Sequence, residues 1–271
     1  MDFKSVKQEL TSKLSKRTNN ANQEFAFLCA ELLHKEKSDL ITLESISKKE
    51  YKKLNKAVNK RLKGVPLQFI IGYSTFYNVE ILESKHTLSP RFETELLVEK
   101  IVEFENKESS VLDMCSGSGC IGLALKKAGF EEVTLADKSR KAIKMMMKNA
   151  RHNQIPVTII RTDMFEDVTG VFDVIVINPP YIKSGDIKNL STEVKKYDPR
   201  LALDGGEDGL DFYREIAKNA HKYLNINGVL YLEIGKNQEK DIEKLLQNNY
   251  KNITIIKDLN DINRIIRAEK C

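Results

Sequence analysis

The chain has 271 residues, 41% hydrophobic and 31% charged, with 13 Gly, 6 Pro and no Trp; this balance excludes collagen-like, low-complexity and disordered classes and leaves room for one large or two unequal domains. No apolar run approaches the roughly 20 residues of a membrane span, and the opening MDFKSVKQEL lacks the apolar stretch of a secretory signal, so a cytoplasmic, non-membrane protein is expected. Net charge is +5, but residues 1–65 hold 15 Lys and Arg against 8 Asp and Glu, a local +7 that leaves the remainder at −2. Those lysines are interleaved with Glu and apolar residues, which favours a solvated helical surface, or docking to an acidic protein, over direct nucleic-acid binding. Cys29, Cys115, Cys120 and Cys271 form no C-x-x-C pair and the four His are scattered, so reduced thiols and no metal site are expected.

Leu10, Leu14, then Phe25, Leu28, Leu32, then Tyr51, Leu54, Val58, Leu62 recur at helical steps, so residues 1 to about 63 are predicted helical. Asn20 and Ser47 are the expected N-caps, the latter with Glu50 three residues on; Gly64 and Pro66 close the region. Between Pro66 and Pro90, FYNVEILE predicts a short hairpin turning at Asn78. From Ser110, the runs VLDM, EVTLAD, VTIIR, FDVIVIN and VLYLEI alternate with helical stretches at 119–128, 139–152 and 210–223, and NITIIK and INRIIR close the chain as strands. This alternation predicts an α/β fold with an open, doubly wound sheet, whose ligands bind beyond the carboxyl ends of the strands.

After VLDM comes Cys115-Ser116-Gly117-Ser118-Gly119, then a helix; glycines there let a ligand approach the backbone. Gly117 to Gly122 matches G-x-G-x-x-G, and Asp137, 20 positions after Gly117, stands where an acid grips ribose hydroxyls, so a dinucleotide is one reading. Asp113 tilts the choice, because a carboxylate four positions before Gly117 repels a pyrophosphate and favours a ligand with an ammonium and a sulfonium, such as S-adenosylmethionine. An empty tight turn is the structural alternative. Asp163 is placed to take an adenine amine and Met164 to form an apolar wall, or else core filler.

The run FDVIVI ends in Asn178-Pro179-Pro180-Tyr181. Two prolines terminate a strand, but termination asks for neither the Asn nor the Tyr. Asn178 offers a side-chain carbonyl and Pro179 a backbone carbonyl, together able to accept both hydrogens of an –NH2 group, while Tyr181 offers a flat face for a planar amide or base.

This tetrad is shared by amino-methyltransferases acting on adenine, guanine, cytosine or glutamine nitrogen. The chain as a whole resembles the peptide chain release factor glutamine methyltransferases (HemK/PrmC family). The resemblance runs through Pro66–Gly72, Phe76, Pro90–Glu95, Leu112–Ile121, Asn178–Ile182, Asp198–Gly206, Asp208–Leu210 and Leu232–Gly235. It implies a helical substrate-recognition domain over 1–65, a hairpin linker over 66–90 and a Rossmann-like class I methyltransferase domain over 91–271. It also implies S-adenosylmethionine as cofactor, S-adenosylhomocysteine as product, and as substrate the glutamine of the Gly-Gly-Gln loop of release factors. The family's cofactor residues correspond to Cys115 through Gly119, Asp137, Met164 and Asn178, and its glutamine-binding residues to Asn178 through Tyr181; a monomer is expected. Departures are Phe92 for the family's usual Pro, Cys115 for its usual Gly, which fits only at negative φ, and Met164 for a frequent aromatic. Residues Tyr181 to Asp208 form a long patternless stretch, expected to be a lid hinged at Gly205-Gly206. The alternative function is a nucleic-acid adenine or cytosine amino-methyltransferase, disfavoured by the absence of a basic, aromatic-rich recognition region.

Overall fold

The structure is a computed structural model describing residues 1–271. It divides into two compact units, Met1–Tyr73 and Ser74–Cys271.

The first unit holds α1 (Phe3–Leu14), α2 (Ala21–Leu33), α3 (Asp39–Thr42), α4 (Lys48–Leu62) and α5 (Leu67–Ile71). The apolar positions read from the sequence converge: Leu10 and Leu14 of α1, Phe25 and Leu28 of α2, and Leu54 and Val58 of α4 share one core. Ser47 and Glu50 form the expected reciprocal cap, with Ser47 N–H donating to Glu50 Oε2 at 2.7 Å and Glu50 N–H to Ser47 Oγ at 3.2 Å. Asn20 occupies the N-cap of α2 without a side-chain cap bond, because its ψ of 32° leaves the extended region that aims such a side chain inward. The stretch expected to open a linker instead forms α5, stopped by Gly72 at φ 105°.

A two-residue turn, Tyr77-Asn78, joins β1 (Tyr73–Phe76) to β2 (Val79–Leu82); both turn residues have positive φ, 43° and 65°, the primed geometry that matches strand twist. Then follow α6 (Phe92–Phe104), β3 (Ser110–Met114), α7 (Cys120–Lys127), β4 (Glu132–Asp137), α8 (Arg140–His152), β5 (Thr158–Arg161) and β6 (Phe172–Ile177). The chain continues through α9 (Thr192–Tyr197), α10 (Asp211–Asn219), β7 (Leu224–Glu233), α11 (Glu239–Leu246), β8 (Tyr250–Lys257) and β9 (Asn263–Lys270). One seven-stranded sheet results, in the order β5-β4-β3-β6-β7-β9-β8, parallel through β7 and antiparallel at β9 and β8. Val111, Val174 and Val176 pack into the core on one face, and Leu112, Met114, Ile175 and Ile177 into the core on the other. Burial on both faces is why these strands read as unbroken apolar runs. The winding reverses between β3 and β6, the place where open α/β sheets bind ligands.

The stretch after Tyr181 is not patternless. It contains α9 and two single 3-10 turns, Ile187–Asn189 and Arg200–Ala202, and three backbone bonds fasten it to itself: Ile182 N–H to Leu203 O at 3.0 Å, Gly205 N–H to Ile182 O at 2.8 Å and Ser184 N–H to Gly206 O at 2.8 Å.

Candidate active site

The residues that follow β3, β4, β5 and β6 enclose a cavity of about 340 Å³, within the range of small-molecule sites. Ser116, Gly117 and Ser118 line it from the loop after β3, Asp137 from the tip of β4, Asp163 and Met164 from beyond β5, and Asn178 and Pro180 from beyond β6. Two straps complete the wall, His86–Arg91 and Pro199, Leu201 and Ala202. A clasp joins the straps: Arg91 Nη2 meets Asp198 Oδ2 at 2.5 Å, and Ser89 N–H donates to Asp198 Oδ1 at 3.2 Å.

The glycine loop is braced by two carboxylates. Asp137 accepts Gly117 N–H at 2.9 Å and Ser139 N–H at 2.8 Å, and burial raises its pKa against the pull of those donors. Asp113 accepts the Ser116 hydroxyl at 2.5 Å and Gly122 N–H at 2.9 Å. It is wholly buried and lies off the cavity wall, so the sequence-based placing of its charge against a ligand is corrected: it holds the loop from behind. Burial pushes its carboxyl up to about 7. Gly119 also sits behind the wall, as N-cap of α7 at φ 85°, where a Cβ would lie 3.2 Å from Leu135 Cδ1.

Cys115 has φ 58°, not the negative value expected. A side chain there carries about 1–2 kcal/mol of backbone strain, and its sulfur is 3.8 Å from that of Met164, itself at φ 47°. Asp163 is ion-paired with Lys138 at 2.5 Å at the cavity edge.

At the tetrad, the Asn178 amide nitrogen donates to Thr94 Oγ1 at 3.3 Å, and no protein donor reaches its Oδ1. Thr94 in turn donates to Glu233 Oε2 at 2.6 Å. Pro179 and Tyr181 lie off the wall of this cavity, and Tyr181 is half-buried. Its hydroxyl is drawn to Glu233 Oε1 at 3.4 Å, and its carbonyl accepts from Gln238 Nε2 at 3.1 Å. Glu233 is 4% exposed, and burial pushes its carboxyl up to about 7 despite Thr94, Arg264, Tyr181 and Asn178. The sequence reading gave Thr94 and Glu233 no role; the available signal was that Glu233 ends the strand next to the tetrad's own. At Gly205 a Cβ would lie 2.8 Å from Pro180 O, so close packing against the tetrad requires glycine there.

Residues 6–72 match the family described as PrmC N-terminal domain, and residues 91–196 match the methyltransferase small domain. A release factor glutamine methyltransferase of Thermodesulfovibrio yellowstonii is 42% identical over 221 residues, covering 79% of this chain and 79% of that protein. The chain belongs to the release factor glutamine methyltransferase family. The corresponding protein of Fusobacterium nucleatum is 42% identical over 212 residues, 76% of this chain and 60% of the relative. A crystal structure of a methyltransferase from Pyrococcus furiosus superposes with a TM-score of 0.55 at 18% identity, over 71% of this chain and 89% of that one, and shares the fold. The seven-stranded sheet is the Rossmann-like class I methyltransferase fold, and membership of the release factor glutamine methyltransferase family implies use of S-adenosylmethionine. The residues present fit that molecule: the cavity is large enough, Gly117 exposes backbone to it, Asp137 supplies a carboxylate and Met164 an apolar wall.

Proposed function

We propose that this chain transfers a methyl group from S-adenosylmethionine to the side-chain amide nitrogen of the glutamine in the Gly-Gly-Gln loop of peptide chain release factors, releasing S-adenosylhomocysteine. The observation that carries the reading is the orientation of Asn178: it stands on the cavity wall beside the glycine loop, its nitrogen engaged inward and its carbonyl oxygen without a protein donor. Pro179 O, the next acceptor along the backbone, also takes no hydrogen bond from the protein.

When bound, S-adenosylmethionine supplies an activated methyl on a positively charged sulfur. The acceptor is a poor nucleophile, since an amide lone pair is delocalised and its proton is too weakly acidic for a side-chain base. The protein's contribution is therefore positioning, worth up to roughly 7–11 kcal/mol when donor and acceptor are held in line. Asn178 Oδ1 accepts one amide hydrogen at the cavity wall and Pro179 O, just behind that wall and free of protein donors, accepts the other as the glutamine seats; these bonds strengthen as positive charge builds on the nitrogen. Pro180 fixes the backbone, and Tyr181 props the tetrad against Glu233. Asp137 holds the ribose; Ser116 to Ser118 admit the methionine end, with Gly119 turning the chain into α7 behind them and Cys115 contributing backbone, and Asp163 and Met164 flank the adenine.

Asp137→Ala should weaken S-adenosylmethionine binding by about 10- to 100-fold, because a charged acceptor and the brace on Gly117 are lost together; calorimetry reads it, and unchanged affinity would move the cofactor elsewhere. Residues 1–65 recognise the body of the release factor, where a local charge of +7 favours encounter with an acidic surface. In this proposal the protein acts as a monomer. Its four free thiols suit the reducing cytosol.

The deciding experiment supplies methyl-labelled S-adenosylmethionine with intact release factor, a Gly-Gly-Gln peptide, release factor with the glutamine replaced by alanine, and RNA. Label should enter the intact factor fastest, the peptide more slowly and the alanine variant not at all. Label in RNA alone would install the nucleic-acid amino-methyltransferase instead, and equal rates on factor and peptide would remove the docking role of residues 1–65.

A further inference from the structure

We infer that Thr94 and Glu233 are positioning residues that dictate which end of the Asn178 amide faces the substrate, an inference that rests on the proposed transfer to an amide nitrogen. An asparagine amide is nearly symmetric in shape, yet only its carbonyl end can accept hydrogens from the acceptor –NH2. Something must therefore choose between the two flips, and the structure contains the means.

Glu233 sits at the end of β7, beside the strand that ends in Asn178, and as a carboxylate it can only accept. Thr94, the third residue of α6, donates its single hydroxyl proton to Glu233 Oε2 at 2.6 Å. With that proton committed, Thr94 Oγ1 has only lone pairs left, so it can take the amide nitrogen of Asn178 and not its oxygen. The observed contact is that one, Nδ2 to Oγ1 at 3.3 Å. Asn178 Oδ1 is thereby turned away from Thr94. The logic runs through three elements, α6, β7 and the tip of β6, and needs no contact between Glu233 and substrate.

The arrangement has a protonation dependence. A protonated Glu233 donates into Thr94 Oγ1, frees the threonine proton and lets either amide flip form. The groups facing Glu233 are Tyr181 after β6, Tyr213 of α10, Cys120 of α7 and Arg264 of β9. Tyr213 donates to the Glu233 backbone carbonyl at 2.8 Å, and Arg264 is ion-paired with Asp258 at 2.9 Å and attracted by Glu93. Of these, only Glu233 has its charge change brought near neutrality, with its carboxyl at about 7. The sign is fixed: transfer is lost as pH falls through this value, because the working form is the carboxylate.

The test combines kinetics with the apo protein's own signals. Thr94→Val should cut kcat on release factor about tenfold with KM for S-adenosylmethionine unchanged, and Thr94→Ser should restore kcat to within about threefold of wild type. Glu233→Gln should lower kcat and remove the acidic limb of its pH profile. In the 15N-labelled apo protein, the Asn178 side-chain amide resonances, assigned by their loss in Asn178→Ala, should titrate with the same midpoint as that limb. Wild-type kcat in Thr94→Val, an acidic limb retained in Glu233→Gln, or Asn178 resonances indifferent to pH would each overturn the inference. Should Thr94→Val not fold, the resonance titration of wild type decides. A wild type that leaves release factor unmethylated would overturn the proposed function, and the resonance titration would still accept or reject the amide orientation independently.

Discussion

Asn178→Ala should lower methyl transfer by about 10²–10³-fold while leaving S-adenosylmethionine affinity within about twofold of wild type. Under the proposed mechanism the truncation removes one of the two acceptors for the substrate amide hydrogens, and with it the charge stabilisation that grows as the nitrogen is methylated. It also leaves Thr94 Oγ1 without the amide nitrogen it accepts at 3.3 Å, so the wall loses order as well as an acceptor. The proposed cofactor contacts are other lining residues, Ser116 to Ser118, Asp137 and Met164, which is why affinity and rate should separate. Single-turnover kinetics and calorimetry on the same preparation check the pair of statements. Turnover near the wild-type rate would remove Asn178 from the chemistry.

Gly205→Ala should damage both the fold and the rate, because the added methyl meets the tetrad's own backbone. A Cβ at Gly205 would lie 2.8 Å from Pro180 O, 2.8 Å from Tyr181 Cα and 2.9 Å from Tyr181 C. All three are backbone atoms, so no rotamer change relieves them, and the tetrad itself must move. Overpacking of this kind costs about 1–3 kcal/mol, and a shift approaching 1 Å in a positioning group costs up to about 10²-fold in rate. The melting temperature and kcat should therefore fall together. Gly185→Ala is the matched control: a Cβ there meets nothing within 4 Å, and both quantities should stay at wild-type values. Equal behaviour of the two variants would show that the Pro180–Tyr181 backbone has slack.

The central strands were legible because β3 and β6 are buried on both faces and so read as apolar runs, Val174 to Ile177 without a break and Val111 to Met114 with Asp113 alone interrupting. The glycine loop and the tetrad were legible because their residue types are unusual at strand ends. Asp113 was misplaced because its distance from Gly117 along the chain does not say on which side of the loop its carboxylate falls, and here it turns into the core. Cys115 misled for a related reason: residue identity sets a preference for negative φ, and the bond from Ser116 N–H to Ala136 O, at 3.0 Å, outweighs it by fixing the loop path. Tyr181 was read as a stacking face since an aromatic after Asn-Pro-Pro offers one, and its hydroxyl also meets a buried carboxylate from a strand 52 residues away. Thr94 and Glu233 escaped notice because their significance is relational. They are 139 residues apart and meet only through the fold.

The register of β3 against β6 has a consequence for the reaction itself. Asp113 pairs with Val176 and Met114 with Ile177, so Cys115 and Asn178, the next residues of each strand, leave the sheet as neighbours at about 4.8 Å lateral spacing. The glycine loop and the Asn178 tetrad, the proposed donor and acceptor halves of the site, are thus gauged by backbone ladder geometry. A slip by one residue would carry Asn178 about 3.3 Å along the strand and swap the faces to which Val176 and Ile177 belong, so the same error that misaligned the chemistry would also expose core. Misassembled molecules of this kind condemn themselves by instability and do not persist as sluggish catalysts.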